Sequence, residues 1–307
     1  MASSRQLKNK IKTVGNIKQI TYAMQMVAAT KMRKAQETAL RARPYAKEAL
    51  SLLQGLTSHE ALEGTKHPLF EERKQGRTCL VVVTSDKGLA GSFNAQVLRL
   101  ASLKLKENKE TDIVAVGRKA RDYFVSRGIT PQAEFLQFSD IVSLHDVRPL
   151  TLWILNAFRE QEYKNVVVVS TQFVSALVQQ AKARQLLPLD LDSLQEAVSS
   201  IVPAKGKYAE MKENGKKEEE SGHLLEPTPQ AIFHTVAESL VEAVMLHYMF
   251  ESNASEHSSR MVAMKNATEN AGSIEEELVL ALNKARQASI TQELTEISTA
   301  KEALTTE

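Results

Sequence analysis

The last quarter of the chain constrains the fold most, because it lacks residues that break helices or fill a layered core. No proline follows Pro229 and no aromatic residue follows Phe250. The stretch RMVAMKNATENA at 260–271 offers alanine, methionine and threonine in place of bulk. One helix over residues 229–303 would be on the order of 110 Å long at about 1.5 Å per residue. We therefore expect a long helix, much of which protrudes from any globular core.

Small and apolar residues in this segment have the spacing of a coiled coil. They recur in steps of 4, 3, 4, 3, 4 and 3 at Ala267, Ala271, Ile274, Leu278, Ala281, Ala285 and Ala288. A seam with this period packs against another helix by interlocking side chains. Because alanine is small, the two helix backbones can approach closely.

The N-terminal segment is the natural partner for this seam. Residues 3–43 contain no proline and carry one apolar stripe. Its steps are 4, 3, 3, 3, 4 and 3, and its members are Leu7, Ile11, Val14, Ile17, Ile20, Met24 and Val27. We expect Pro44 to kink or end this helix, although helical composition resumes through about Leu56. Residues 1–50 carry a net charge of +9 and residues 251–307 one of −5, so an antiparallel pair of the two helices would be complementary in charge.

Between the two helical segments the pattern alternates between strands and helices. Strands are predicted at 78–85, 112–117 and 165–171, and helices at 92–108, 118–128 and 150–161. This order predicts a parallel sheet with helices on its faces. Residues 176–189 fit either a strand or a helix. Residues 203–222 hold five Lys and five Glu with almost no apolar residues, which predicts a flexible surface insertion.

The predicted fold class is therefore α/β with a long coiled coil. We place the N-terminal coiled-coil helix at 1–56, the α/β domain at 77–225 and the C-terminal coiled-coil helix at 226–307. No apolar run approaches the roughly 20 residues needed to span a bilayer.

Motifs for catalysis or cofactor binding are weak. The turn TSDKGLAGS at 84–92 lies where phosphate-binding loops lie, but it matches neither common glycine-rich pattern, so a structural turn is favoured. The seven histidines lack metal-ligand spacing, and no serine or cysteine has a nucleophile-elbow pattern. Cys79 is the only cysteine, which excludes an intramolecular disulfide and fits a reducing compartment. We expect no catalytic residues, no cofactor and no metal.

Four segments together resemble the gamma subunit of the F-type ATP synthase. They are IKQITYAMQMVAATKMRKAQ at 17–36, SDKGLAGSFN at 85–94, SEHSSRMVAMKNATENA at 255–271 and NKARQASITQELTEI at 283–297. Each segment alone is unremarkable, but four in this order are specific. The likeness implies an antiparallel coiled coil of the two termini and a Rossmann-like domain without nucleotide between them.

The resemblance also implies a function and partners. Family members are rotors, and their coiled coil lies inside a hexamer of alternating alpha and beta subunits. The globular base of the coiled coil binds the epsilon subunit and the membrane-embedded ring of c subunits. Proton flow turns the ring, and gamma, present in one copy per complex, turns with it. Gamma is not inserted in the membrane, makes no bond to ATP and binds no nucleic acid.

The residues that the resemblance assigns to rotor–stator coupling lie on both long helices. They are Met24, Lys31, Arg33, Arg260, Arg286, Gln287, Thr291 and Glu296. Arg286 and Gln287 are implied to contact a loop of the beta subunit as the shaft passes. Arg260, Gln287, Thr291 and Glu296 are implied to make polar contacts that couple rotation to chemistry, and Met24, Lys31 and Arg33 correspond to the coupling region of the first helix. An ordinary solvated helix position is the alternative for each.

The sequence departs from many relatives in a few places. Ala90 stands where they have a cysteine, and one cysteine cannot form the two-cysteine redox switch of some photosynthetic relatives. The likeness starts within the first few residues, so we expect no presequence and a location on the cytoplasmic face of a bacterial membrane. Two alternatives stay open: a coiled-coil scaffold that binds nucleic acid through its basic helix, and a nucleotide-binding enzyme that uses the 84–92 turn.

Overall fold

The computed structural model describes residues 4–57, 67–73, 75–108, 110–190 and 228–305. The predicted insertion at 203–222 lies outside the described residues. The elements in chain order are α1 Ser4–Thr57, β1 Arg77–Val83, α2 Phe93–Glu107, β2 Thr111–Val116, α3 Arg118–Val125, β3 Ala133–Phe135, α4 Leu144–Arg159, β4 Tyr163–Phe173, β5 Gln179–Leu187 and α5 Pro229–Thr305. The described residues belong to two compact units, Met1–Val27 with Met261–Glu307, and Ala28–Arg260.

The unit Ala28–Arg260 is built on a five-stranded sheet in the order β3-β2-β1-β4-β5. The pairs β1–β2, β1–β4 and β2–β3 are parallel, and β5 is antiparallel to β4. Alternate β1 residues face opposite layers. Leu80 and Val82 pack with α2 and α3, whereas Val81 and Val83 belong to the core that includes residues of α4 and α5. The predicted α/β arrangement is confirmed.

Three elements of this unit were not predicted correctly or were left undecided by the sequence: β5, β3 and the start of α4. The ambiguous stretch 176–189 contains strand β5. Antiparallel pairing with β4 stabilises this strand, and its polar composition gave no indication of that pairing. The short strand β3 was not predicted. Helix α4 begins at Leu144 rather than at 150, because the Asp146 carboxylate accepts hydrogen bonds from the Ser143 N–H and hydroxyl, which forms a cap that helix N-termini favour.

Proline affects the two long helices differently. Helix α1 does not end at Pro44 but runs through it to Thr57. Pro44 lies at an exposed position, where water can bond the carbonyl group that proline leaves without a donor. Pro229 is the first residue of α5, as predicted from the preference of proline for the first turn, and Thr228 Oγ1 accepts a hydrogen bond from the Ala231 N–H.

The other unit is an antiparallel pair of helices. Lys18 Nζ donates to the Glu275 carboxylate at 3.0 Å, and Thr268 Oγ1 donates to Thr21 Oγ1 at 2.8 Å. Since rising numbers in α1 meet falling numbers in α5, the helices run in opposite directions. The predicted antiparallel coiled coil is confirmed.

The seam of this coiled coil is more polar than predicted. The buried and half-buried positions recur with steps of 4 and 3 on both helices. On α1 they include Leu7, Ile11, Val14, Lys18, Thr21 and Gln25, and on α5 Met264, Thr268, Ala271, Glu275, Leu278, Leu282 and Ala285. The placement of Ile17, Ile20 and Val27 in the seam was wrong, because all three are exposed. Ile274 and Ala288 are also exposed.

The wrong placement of α1 residues in the seam has a geometric cause. The apolar stripe contains three consecutive steps of 3, so its mean step is shorter than the 3.5 residues of a coiled-coil seam. A stripe with a shorter period rotates steadily away from the contact line. Lys18 and Thr21 therefore occupy the positions that Ile17 and Ile20 were expected to fill.

Candidate functional site

The C-terminal group of predicted site residues lies on the last turns of α5. Every residue from 286 to 299 is exposed, and this group comprises Arg286, Gln287, Thr291 and Glu296. At about 100° per residue, the four side chains are spread around the helix and do not form one face. The contacts given for Thr291 and Glu296 are local: the Thr295 hydroxyl donates to the Thr291 carbonyl, and the Gln292 amide donates to the Glu296 carboxylate.

Apolar side chains are exposed on the same stretch of α5. Ile290, Leu294 and Ile297 are 45%, 62% and 66% exposed. Their spacing of 4 and 3 places them on one side of the helix. Large apolar groups held in water along one line mark an interaction surface. This stretch therefore combines an apolar stripe with the charged and polar residues of the C-terminal group.

The remaining predicted residues are dispersed. Met24 is half-buried in the helix pair, and Arg33 is exposed on α1. Lys31 lies in the sheet-containing unit, where its Nζ donates to Asp140 at 2.7 Å. Lys87 Nζ donates to the same carboxylate at 3.0 Å. The hydrogen bonds from Lys31 and Lys87 lower the pKa of Asp140 to about 2, so this carboxylate is ionised at neutral pH.

Arg260 is buried, with 9% of its surface exposed. Its guanidinium donates to the Gly88 carbonyl at 3.3 and 3.4 Å and to the Glu256 carboxylate at 2.8 Å. It also lies 3.3 Å from His257 Nδ1. These contacts occupy Arg260 within its own chain.

The contacts of His257 define its tautomer. His257 Nε2 is 2.9 Å from the Asp140 carbonyl oxygen, which can only accept, so Nε2 carries the proton. Nδ1 faces the Arg260 guanidinium, which can only donate, so Nδ1 accepts. Burial lowers the pKa of His257, which agrees with a neutral ring. His257 and Asp140 thus link α5 to the loop before α4.

The 84–92 turn is held by protein groups. The Ser85 N–H donates to the Asn94 side chain, the Arg118 N–H donates to the Asp86 carboxylate, and Arg260 bonds the Gly88 carbonyl. The cleft beside this turn, at the carboxyl end of β1, has a volume of about 60 Å³. Pockets for cofactors are about 300–1,000 Å³, so this cleft is too small for a nucleotide. The turn fits the structural interpretation.

Sequence reasoning missed Asp140 and His257. Asp140 follows no motif, and the histidines were judged only by metal-ligand spacing. Their contacts join residues more than a hundred positions apart, so periodicity could not reveal them. The Ser143 and Asp146 pair was a readable signal, because serine followed three residues later by an acidic residue is a helix-start pattern. It would have placed the start of α4 directly after the Asp140 loop.

Within the described ranges, no group of three or more His, Cys, Asp or Glu side chains could hold a metal ion. Among the same residues, no helix has the length and hydropathy of a membrane span. Cys79 is buried in β1, and burial raises the pKa of its thiol far above the usual range. Its thiol is therefore protonated and inert.

Comparison with known proteins gives a consistent result. A family model described as ATP synthase matches residues 3–304. The ATP synthase gamma chain of Symbiobacterium thermophilum is 37% identical over 298 residues, or 96% of each chain. That of Roseiflexus castenholzii is 37% identical over 309 residues, or 99% of each chain.

Solved structures with a similar fold come from mitochondrial ATP synthases. A chain of the central stalk and c-ring structure from Tetrahymena thermophila has a TM-score of 0.57 and 25% identity, with 81% of this chain and 99% of that chain covered. A chain from the Euglena gracilis OSCP/F1/c-ring structure has a TM-score of 0.63 and 20% identity, covering 98% of this chain and 94% of that chain. The second likeness concerns the fold alone.

Proposed function

Because the chain belongs to the ATP synthase gamma chain family, we propose that it is the central-stalk rotor of an ATP synthase. In this role it has no catalytic residues of its own. It couples proton-driven rotation of a c-ring to ATP synthesis and hydrolysis at the beta subunits. The observation that carries the proposal is the exposed end of α5, residues 286–299.

This end of α5 has the properties of a shaft that other subunits surround. The antiparallel pairs Lys18 with Glu275 and Thr21 with Thr268 show the register of the two helices. Extended at this register, the described start of α1 at Ser4 comes level with about residue 289 of α5. Beyond that level α5 has no α1 residue beside it among those described. Its exposed apolar residues, Ile290, Leu294 and Ile297, are suited to contact with another chain, which the alpha and beta hexamer would provide.

A rotor must also interact unequally with its stator. A ligand with equal affinity for two states shifts no equilibrium, however tightly it binds. The polar residues around α5 differ in charge and height: Arg286 is basic, Gln287 is neutral and Glu296 is acidic. As the helix turns, each beta subunit would meet a different group. This supports Arg286 and Gln287 as contacts to a beta-subunit loop, with Thr291 and Glu296 as further polar contacts.

The observations on the site residues outside the end of α5 differ from residue to residue. Arg33 is exposed on α1 and is free to meet a stator subunit in our proposal, and Met24 lies at the rim of the seam. The contacts of Lys31 and Arg260 within their own unit favour a role in holding the rotor together. The epsilon subunit and the c-ring would bind the base, with one copy of this chain per complex. We also place the chain peripherally on the cytoplasmic face of a bacterial membrane, a placement supported by its likeness to bacterial gamma chains.

Reconstitution tests the proposal directly. The chain is co-expressed with the alpha and beta subunits of its source, and the purified complex is assayed for ATP hydrolysis with and without it. We expect a stable complex whose ATPase activity depends on the chain. Arg286→Ala combined with Gln287→Ala should assemble normally and lower the activity at least several-fold, because it removes contacts made during turnover.

An exposed position on the sheet-containing unit supplies the matched control. Arg127→Ala removes a basic side chain of similar size near the end of α3 and should leave activity unchanged. Failure of the chain to associate with alpha and beta would overturn the rotor proposal. Salt-sensitive binding of DNA by the full chain would then support the scaffold alternative.

A further inference from the structure

The loop that precedes α4 contacts both long helices through one residue. The Asp140 carboxylate accepts hydrogen bonds from Lys31 of α1 at 2.7 Å and from Lys87 at 3.0 Å. The backbone carbonyl of Asp140 faces α5, where it lies 2.9 Å from His257 Nε2 and 3.4 Å from Asn253 Nδ2. A displacement of this loop would therefore strain hydrogen bonds to both α1 and α5.

A second contact joins α5 to the neighbouring turn. Arg260 donates to the Gly88 carbonyl, in the same turn that carries Lys87. The Arg260 guanidinium also faces His257, whose other ring nitrogen bonds the Asp140 carbonyl. The turn and the loop are thus connected to each other and to both helices.

Both connecting segments are anchored to the sheet-containing unit. Asp146, in the first turn of α4, accepts hydrogen bonds from Ser139 and Ser143 on either side of Asp140. Val142 is buried in the core. The turn is fixed because Asp86 accepts the Arg118 N–H at the start of α3. Segments fixed in this way can transmit force with little displacement of their own.

We propose that the 139–142 loop and the 85–91 turn form a clamp, with Asp140 at its centre, through which torque on the α/β unit passes into α1 and α5. The inference rests on the rotor role proposed above and adds a positioning residue to it. Lys31 and Arg260 then act within the rotor, by holding the helices, and not by contacting the stator.

The exposure of the clamp distinguishes this role from a role in stability. The Lys31 and Asp140 side chains are 30% and 48% exposed, and ion pairs with this exposure contribute little to the free energy of folding. The hydrogen bonds from Lys31 and Lys87 nevertheless join α1 and the 85–91 turn to the loop at one carboxylate. Loss of the clamp should therefore affect transmission under load before it affects folding.

The test uses the complete complex in sealed vesicles with alpha, beta, epsilon and the membrane sector. ATP hydrolysis is measured with an uncoupler present, and ATP-driven proton uptake is measured without it. For Asp140→Ala we expect normal assembly and nearly unchanged uncoupled hydrolysis. Proton uptake per ATP should fall by about twofold or more, the range expected when a residue of a coupling network is removed.

Asp122→Ala is the matched control. Asp122 is an exposed carboxylate in the same unit, and it is paired with Arg121 instead of a long helix. It should leave proton uptake per ATP at the wild-type value. Equal uptake per ATP for wild type and Asp140→Ala would overturn the clamp.

A charge exchange keeps the proposal testable if Asp140→Ala assembles poorly. Lys31→Asp places a second carboxylate against Asp140, and Asp140→Lys places a third cation beside Lys31 and Lys87. The two changes combined restore an attractive pair between α1 and the loop. We expect higher proton uptake per ATP from the combined variant than from either single variant. No recovery in the combined variant would contradict the clamp.

The wild-type result separates this inference from the rotor proposal. If the wild-type chain neither assembles nor supports proton uptake, the rotor proposal fails and the clamp fails with it. If the wild type is active and the Asp140 variants match it, only the clamp fails.

Discussion

Lys18 and Glu275 face each other across the helix pair with Nζ and Oε2 3.0 Å apart, at seam positions where coiled coils ordinarily have apolar side chains. Two glycines flank the pair. A Cβ at Gly15 would lie 3.5 Å from Glu275 Oε1, and one at Gly272 would lie 3.6 Å from Lys18 Nζ. The charged groups thus have room to cross the seam. A polar pair in a seam fixes the register of two helices.

We predict that this pair contributes modestly to stability. The two side chains are 44% and 31% exposed, so a double-mutant cycle of Lys18→Ala and Glu275→Ala should give a coupling energy of about 0.5 kcal/mol. Urea unfolding of the four proteins measures it. The pair Lys265 and Glu269 lies within α5 and calibrates the coupling energy of an exposed ion pair along one helix. A coupling energy of zero for Lys18 and Glu275 would contradict a cross-seam contact.

Arg184 and Glu251 form a buried pair that should be far more sensitive. Their charged atoms are 2.7 Å apart, and the side chains are 16% and 6% exposed. Arg184 also donates to Ser170 and lies over the Tyr248 ring. Arg184→Ala leaves a buried carboxylate without its cation, so we expect a loss of about 3–5 kcal/mol in the free energy of unfolding.

Two further measurements sharpen this prediction. Burial raises the pKa of Glu251, and Arg184 opposes the shift. Without Arg184 the pKa should rise further, so the variant should lose more stability than the wild type as the pH increases above the unfolded value of about 4.3. Replacing both residues, by Arg184→Met with Glu251→Leu, should recover most of the stability. A double variant as unstable as Arg184→Ala would show that the buried charge is not the cause.

The protein should also lose stability in mild acid through its buried histidines. Burial, with a contribution from Arg184, lowers the pKa of His247 to about 3, even though Glu251 lies 3.6 Å away. The unfolded chain binds this proton near pH 6.5, so stability is present above that pH and is lost as the pH falls. For His247 alone, the loss between about pH 7 and pH 5 should be about 2 kcal/mol.

His247→Gln tests this assignment, because glutamine has a polar side chain that does not titrate. Urea unfolding at the two pH values should show a smaller acid loss for the variant than for the wild type. A residual loss is expected, because His67 and His257 also have lowered pKa values. Identical pH dependence in the two proteins would show that His247 is not a major source.

Gly117 is required by both backbone conformation and space. Its φ is +89°, and a Cβ there would lie 2.3 Å from the Thr84 carbonyl oxygen. Gly117→Ala should therefore cost about 3 kcal/mol or more. Gly128 is the matched control, because its φ is +75° but a Cβ would meet nothing within 4 Å. Gly128→Ala should cost about 1 kcal/mol, and equal losses for the two variants would rule out the steric contribution.

Periodicity predicted those parts of the fold in which one residue pattern dominates. The run CLVVV in β1 is buried on both faces, so its composition alone identifies a central strand. Strand β5 reads QQAKARQLL, and its identity depends on pairing with β4. The seam shift has a similar origin, because the contacts of Lys18 and Thr21 depend on the partner helix. Such partners are set by tertiary packing, which a single chain pattern does not contain.

The candidate site divides in the same way. Arg286 and Gln287 are exposed on α5, and their role as contacts to the stator stays a prediction. Arg260 belongs to the same sequence resemblance, yet its side chain is enclosed by its own chain. Asp140 had no sequence signal. Resemblance located the segments, but only packing distinguishes groups directed outward from groups directed inward.

The exposed apolar line on the last turns of α5 has a consequence for biosynthesis. Ile290, Leu294 and Ile297 lie in water in the free chain, and exposed apolar surface of this kind promotes aggregation. A copy made in excess of the alpha and beta subunits would keep that surface exposed. Since our proposed complex takes one copy of this chain, its translation has to be matched to that of its partners, and a cell with surplus copies would need to remove them.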